Sequence, residues 1–291
     1  MISLLVAVIA GATCSDAYCR NRTNDTDTLA PCLYWPENTT IVWRANDQGN
    51  PETPGDTEFT AFQKSFATWQ TVLDACASLK FQEGARSVRR DVGWSETDKD
   101  PQNNLIFRFR KCDAVAPAGT TCNGDGDCAN AYDCWEYGPA ALAVTTTSFD
   151  KRSGRIWDAD VEFNVPTFSF TAVETPVCGG GDCNASRSNN CICSDVQNTV
   201  THEIGHMLGL AHTTRLGSTM AARADPGETT KRVLDTGTAS FVCDIYPKGR
   251  PSKSCVIRPL DPNMNIGKAA CAVAPGEVFV ALSLLLLRRR R

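Results

Sequence analysis

The sequence predicts an α+β domain on three observations: apolar residues at helical spacing over residues 59–73, a second helical pattern over residues 196–208, and short β-like runs around and between them. The chain has 291 residues, 42% of them hydrophobic and 21% charged, enough for one main core with appendages. Its formal net charge of -4 offers no basic footprint for nucleic acid.

The first residues, MISLLVAVIAGA, form a short apolar run closing on Ala10-Gly11-Ala12, a small-x-small pattern that predicts a secretory signal over residues 1–12. No Lys or Arg precedes Arg20, so a buried N-terminal strand and a start codon placed too late stay open as alternatives. Fifteen cysteines agree with export, because disulfides persist in oxidising compartments and only one stretch of the chain has metal-ligand spacing. Cys122, Cys128 and Cys134 sit among Gly, Asp and Asn, and Cys178, Cys183, Cys191 and Cys193 share a second polar loop. Both regions read as stapled loops whose connectivity the sequence leaves open. Residues 13–39 are expected to form an N-terminal extension.

TIVWRAN at 40–46 alternates as a strand does. Phe59, Phe62, Phe66, Trp69 and Leu73 then recur at helical spacing, with Asp56 or Thr57 placed to cap the start, and this aromatic stripe is expected in the core. LKFQE at 79–83, NLIFRFR at 104–110, ALAVTTTSF at 141–149 and WDADVEFN at 157–164 predict further strands. In the last, Ala159, Val161 and Phe163 alternate with Asp158, Asp160 and Glu162, which predicts one dry face and one solvated face. That acidic face and the NGDGD segment at 123–127 carry the oxygen ligands calcium uses, but a solvated face and an ordinary turn are the preferred readings. Calcium binding is the second reading of these carboxylates. DVQNTVTHEIGHMLGL predicts a helix with Val196, Val200, Ile204 and Leu208 down one side, ending at Gly209. TTKRVLDTGTASFVCDIY predicts another before Pro247, and residues 248–270 read as a linker.

All three histidines of the chain lie in HEIGHMLGLAH, residues 202–212. Side chains four apart share one face of a helix, so His202 and His206 can bind one ion together. Glu203 lies one step around, within reach of a water at the metal yet outside the ligand set. A third ligand is needed for a tetrahedral zinc site with one open position, and a straight helix would carry His212 past it. Gly209 solves this, because without a Cβ it takes positive φ at modest cost and turns the chain back. Three neutral imidazoles leave the ion's charge uncompensated, which would acidify its water toward a pKa of about 7 for Glu203 to deprotonate. The chemistry so predicted is hydrolysis of a peptide bond in a protein or peptide substrate, with Glu203 passing the proton on to the leaving nitrogen.

Here the chain resembles the metzincin metallopeptidases, and among them the matrixins. The full HEIGHMLGLAH pattern matches, and Met220, in GSTM, falls where that family has a methionine packed beneath the zinc site. FTAFQKSFATWQTVLDACASLKFQE resembles the first matrixin helix leading into its next strand, and VLDTGTASFVCDIYP resembles the closing helix. The resemblance covers residues 40–247. It implies a zincin fold: a twisted, mostly parallel sheet with an antiparallel edge strand, two large helices and a small lobe after Gly209. An extended peptide would pair with that edge strand, within ALAVTTTSF. Matrixins commonly hold a second, structural zinc through histidines outside the motif; with none here, one zinc ion is expected. Thr213 stands where matrixins usually have serine. The stretch before the first helix leaves little room for an inhibitory propeptide. A monomer is expected.

At the far end, Val278–Leu287 is a largely apolar stretch of ten residues before four arginines, short of the roughly 20 that span a bilayer. Cys271, the short apolar helix and the arginine cluster resemble the MYXO-CTERM type of bacterial sorting tail over residues 271–291. That resemblance implies cleavage near Cys271, delivery to the cell surface and lipidation of the cysteine, with membrane contact before processing; an ordinary tail anchor is the alternative. The alternative function, from another class, is a non-catalytic surface adhesion or binding protein with a structural zinc site. Glu203 separates the two, since a structural zinc does not require it.

Overall fold

The computed structural model describes residues 13–15, 17–94, 103–174, 176–178 and 191–255. The expected signal at 1–12, the sorting tail at 271–291 and all of the linker after residue 255 lie outside the described residues.

After the two-residue strands β1 (Thr13–Cys14) and β2 (Cys19–Arg20) come β3 (Thr40–Ala45), β4 (Lys80–Glu83), β5 (Asn104–Arg108), β6 (Ala143–Phe149) and β7 (Ile156–Asn164). These last five form one sheet in the order β4-β3-β5-β7-β6. β3 runs parallel to β4 and to β5, and β5 parallel to β7, while β6 lies antiparallel on the edge. The fold is therefore the mixed α+β sheet with an antiparallel edge strand that the family resemblance implies. Parallel neighbours cannot be joined by a hairpin. The crossover from β3 to β4 is the first long helix, Thr57–Cys76.

That helix buries its predicted stripe: Phe59, Phe62, Phe66, Trp69 and Leu73 are all in the core. Phe62 stacks on Phe107 of β5 and Phe163 of β7, with ring centroids 5.9 and 5.8 Å apart. Phe66 stacks on Trp43 of β3 at 4.1 Å. The second long helix, Val196–Met207, buries Val196, Val200 and Ile204 against the same core, and Trp69 Nε1 donates to its Thr201 carbonyl at 2.9 Å. Two short parallel strands, β8 (Phe170–Thr171) and β9 (Ser194–Asp195), lead into this helix. After it, β10 (Leu210–Ala211) pairs with β2.

Three expectations are corrected. Asp56 stands at the N-cap of the first helix but in the left-handed region, without a capping bond, and its carboxylate pairs instead with Arg86 at 3.2 Å. The predicted helix over residues 229–246 is broken: a 3-10 turn at Thr230–Arg232 is followed by a separate helix, Thr236–Ile245. Asp235 caps the latter through Gly237 N and Thr238 N, so the residue that looked internal to one helix starts another. The largest correction concerns the acidic side of β7. Asp158, Asp160 and Glu162 are buried, not solvated. Segments 87–94 and 110–139 cover that face of the sheet. Gly93 N and Asn104 N donate to the two oxygens of Asp160 at 2.6 and 2.7 Å, and Arg108 Nε and Tyr137 Oη reach Glu162 at 2.6 and 3.1 Å. At NGDGD, Gly124 and Gly126 take positive φ as a turn requires, and a short helix starts at Asp127.

The disulfides among the described residues are Cys14–Cys19, Cys32–Cys255, Cys76–Cys243, Cys112–Cys134, Cys122–Cys128 and Cys178–Cys191. Two pairs close the stapled lobe over residues 112–134. Cys32–Cys255 ties the segment read as an extension to the segment read as a linker. They are consistent with an extracellular protein. Among the described residues no helix is long and apolar enough to cross a membrane.

Candidate metal centre

The helix Val196–Met207 carries His202 and His206 one turn apart, and it stops where the sequence predicts. Gly209 has φ +95°. Two buried side chains satisfy carbonyls that the helix end leaves without an internal partner. Trp35 Nε1 donates to Met207 O at 2.8 Å, and Tyr246 Oη donates to Leu208 O at 2.6 Å. The turned chain then enters β10 and brings His212 back beside the helix.

The result is a convergence of three ring nitrogens. His202 Nε2 lies 3.1 Å from His212 Nε2 and 3.2 Å from His206 Nε2, and the latter two are 3.1 Å apart. Nitrogens on three corners of a tetrahedral zinc site, each about 2.0–2.1 Å from the ion, would be about 3.3 Å apart. Two of the three rings also have the required tautomer. His202 Nδ1 donates to Thr219 O at 2.6 Å and His206 Nδ1 to Leu210 O at 2.8 Å, which commits the ring proton to Nδ1 and leaves the Nε2 lone pair facing the centre. Burial, with mutual repulsion added for His202 and His212, disfavours a charge on these rings; it holds His202 and His206 below the usual histidine value and pushes His212 down to about 3. The rings are thus kept neutral, the form that binds a metal.

Glu203 is 5% exposed. Burial pushes its carboxyl up to about 7, opposed by a hydrogen bond from Thr145. Thr145 Oγ1, on the edge strand β6, donates to Glu203 Oε2 at 2.6 Å.

Met220 is buried beneath the helix. A Cβ added at Gly205 would collide with its sulfur, so that glycine is what lets the methionine approach. The preceding Thr219 is fixed by Asp235, whose Oδ2 accepts from Thr219 N at 2.8 Å while Asp235 N donates back to Thr219 Oγ1 at 3.1 Å. One aspartate therefore both starts the last helix and holds the carbonyl that orients His202.

A family model described as Matrixin matches residues 34–246. The chain belongs to the matrixin family. It is therefore a zinc metallopeptidase, and its substrates are proteins or peptides. No curated protein matches it. The matrixin match starts within the segment read as an extension, which agrees with the burial of Trp35.

In this matrixin the structure brings together all the residues singled out in the sequence: His202, Glu203, His206, Gly209, His212 and Met220. Trp35, Thr145, Thr219, Asp235 and Tyr246 escaped sequence reasoning, since each acts through hydrogen bonds to residues far along the chain. Only the extended match of the family to both ends of the domain hints at Trp35 and Tyr246.

Gly209 gives a direct test of the turn. A Cβ there would lie 2.6 Å from Leu33 O, and positive φ adds strain. Gly209→Ala is expected to destabilise the fold by at least about 1–3 kcal/mol, the cost of the backbone conformation alone. Urea denaturation of the variant checks it, and zinc content should fall with it.

Proposed function

We propose that this matrixin is an exported endopeptidase in which His202, His206 and His212 hold one catalytic zinc ion and Glu203 is the general base. The convergence of three Nε2 atoms, with a buried carboxylate next to the first of them in sequence, carries this reading. Zinc held there supplies Lewis-acid activation of water and of the scissile carbonyl.

The chain's own residues do the rest. Glu203 takes a proton at its carboxylate from the attacking water and returns it to the peptide nitrogen as the C–N bond breaks. Burial of that carboxyl favours its holding the proton between the two halves of the transfer. β6 is the edge strand of the sheet, so its outward backbone groups are open to pair with an extended substrate, which would lie alongside Glu203. Gly209 turns His212 toward the ion, and Met220 supports the helix from below.

The remaining parts of the reading rest on the sequence. Residues 1–12 direct export, residues 40–247 form the catalytic domain, and residues 271–291 deliver the protein to a bacterial cell surface before cleavage near Cys271. The protein works as a monomer. One zinc per chain is proposed because the chain has no histidine beyond these three. The carboxylates of β7 are engaged by amides, Arg108 and Tyr137, so no calcium is included.

Incubation of the purified protein with casein tests the proposal. Cleavage should be abolished by a chelator and restored by zinc, and elemental analysis should give one zinc per chain. Zinc-loaded protein with no cleavage of casein or unfolded proteins would favour the binding protein with a structural zinc. Two zinc ions per chain would refute the single site.

A further inference from the structure

The edge strand β6 contributes a side chain to the centre as well as a backbone edge. Alternate residues of a strand point to opposite faces. Thr146 and Ser148 face the covered acidic side, where Thr146 Oγ1 lies 3.1 Å from Tyr137 Oη and Ser148 Oγ accepts from Trp94 N at 3.0 Å. Thr145 faces the motif helix. Its Oγ1 donates to Glu203 Oε2 at 2.6 Å and lies 3.2 Å from the Glu203 carbonyl oxygen.

Among the described residues this is the one hydrogen bond to the Glu203 carboxylate, and it falls on Oε2. A glutamate has three rotatable side-chain bonds, so a carboxylate left untied would sample several positions. Thr145 is not equally free: it is β-branched, and its backbone is held opposite Val161 in the β6–β7 ladder.

We propose that Thr145 is a positioning residue for the general base: its hydroxyl pins Oε2 of Glu203 and leaves Oε1 to accept the proton. This rests on the reading of Glu203 as the base. Because substrate is held by the backbone of β6, loss of the hydroxyl acts on the chemical step and leaves binding intact.

The test compares Thr145→Val, which keeps shape and β-branching but has no donor, with Thr145→Ser, which keeps the donor. Thr145→Val should lower kcat by about ten- to a hundredfold, the scale of a misplaced catalytic group, with KM unchanged. Thr145→Ser should recover most of the loss. Zinc content and melting temperature of Thr145→Val should match the parent, and its crystal structure should show the Glu203 carboxylate displaced. Undiminished kcat in Thr145→Val, or a Glu203 carboxylate in its original place, overturns the proposal, as does a loss appearing in KM alone. Glu203→Gln measured alongside separates the two readings: full activity in that variant removes the general base itself, whereas an inactive Glu203→Gln with an unimpaired Thr145→Val removes only the role of Thr145.

Discussion

Glu203→Gln is expected to lower kcat/KM for an unstructured protein by about a hundred- to ten-thousandfold, the range for removing a positioned general base. The replacement is nearly isosteric, and its amide oxygen still accepts the Thr145 hydroxyl that lies 2.6 Å from Glu203 Oε2. What it loses is the ability to take a proton. Its zinc content should equal that of the parent, because the three Nε2 atoms stand within 3.2 Å of one another without any contribution from the carboxylate. Loss of zinc together with activity would mean that Glu203 builds the centre and does not serve it. Retained cleavage would exclude it as the base.

Arg108→Met should produce the largest loss of stability. Arg108 is fully buried on β5, with Nε donating to Glu162 at 2.6 Å and Nη1 to Asp133 at 2.9 Å. Removing one partner of a buried ion pair leaves an uncompensated charge, at a cost of about 3–5 kcal/mol. Thermal and urea denaturation of the disulfide-intact protein should report it. Burial already holds the Glu162 carboxyl above its usual value, against the downward pull of Arg108 and Tyr137. Without Arg108 that value rises further. A carboxyl raised in the folded state stabilises only while protonated, so the deficit of the variant should grow as the pH is raised above the ordinary glutamate range. Replacing both residues, Arg108→Met with Glu162→Leu, should recover most of the stability, because apolar side chains of similar volume need no counter-charge. A single variant as stable as the parent would show that the pair contributes nothing to this face of the sheet.

The same pair marks the limit of pattern reading. In WDADVEFN the alternation correctly assigns Ala159, Val161 and Phe163 to the core, but it carries no sign of what covers the other face. The covering comes from residues 87–94 and from the lobe closed by Cys112–Cys134 and Cys122–Cys128. An acidic row that would ordinarily meet water meets amides and an arginine instead. Asp235 teaches a similar lesson: its carboxylate caps a helix that starts inside a stretch read as one continuous helix.

From the sequence by itself came the α+β class, the helices that carry the aromatic stripe and the three histidines, the turn at Gly209, and the set His202, Glu203, His206 and His212. These are legible because they depend on local rules: 3.6 residues per turn puts two histidines on one face, and only glycine takes φ +95° cheaply. Tertiary structure alone decided what orients them. Thr219 sets the tautomer of His202, Trp35 and Tyr246 finish the helix, and Thr145 holds the glutamate. Each of these is one hydrogen bond between residues brought together by folding, and a linear pattern has no term for a distance that only the packed chain creates.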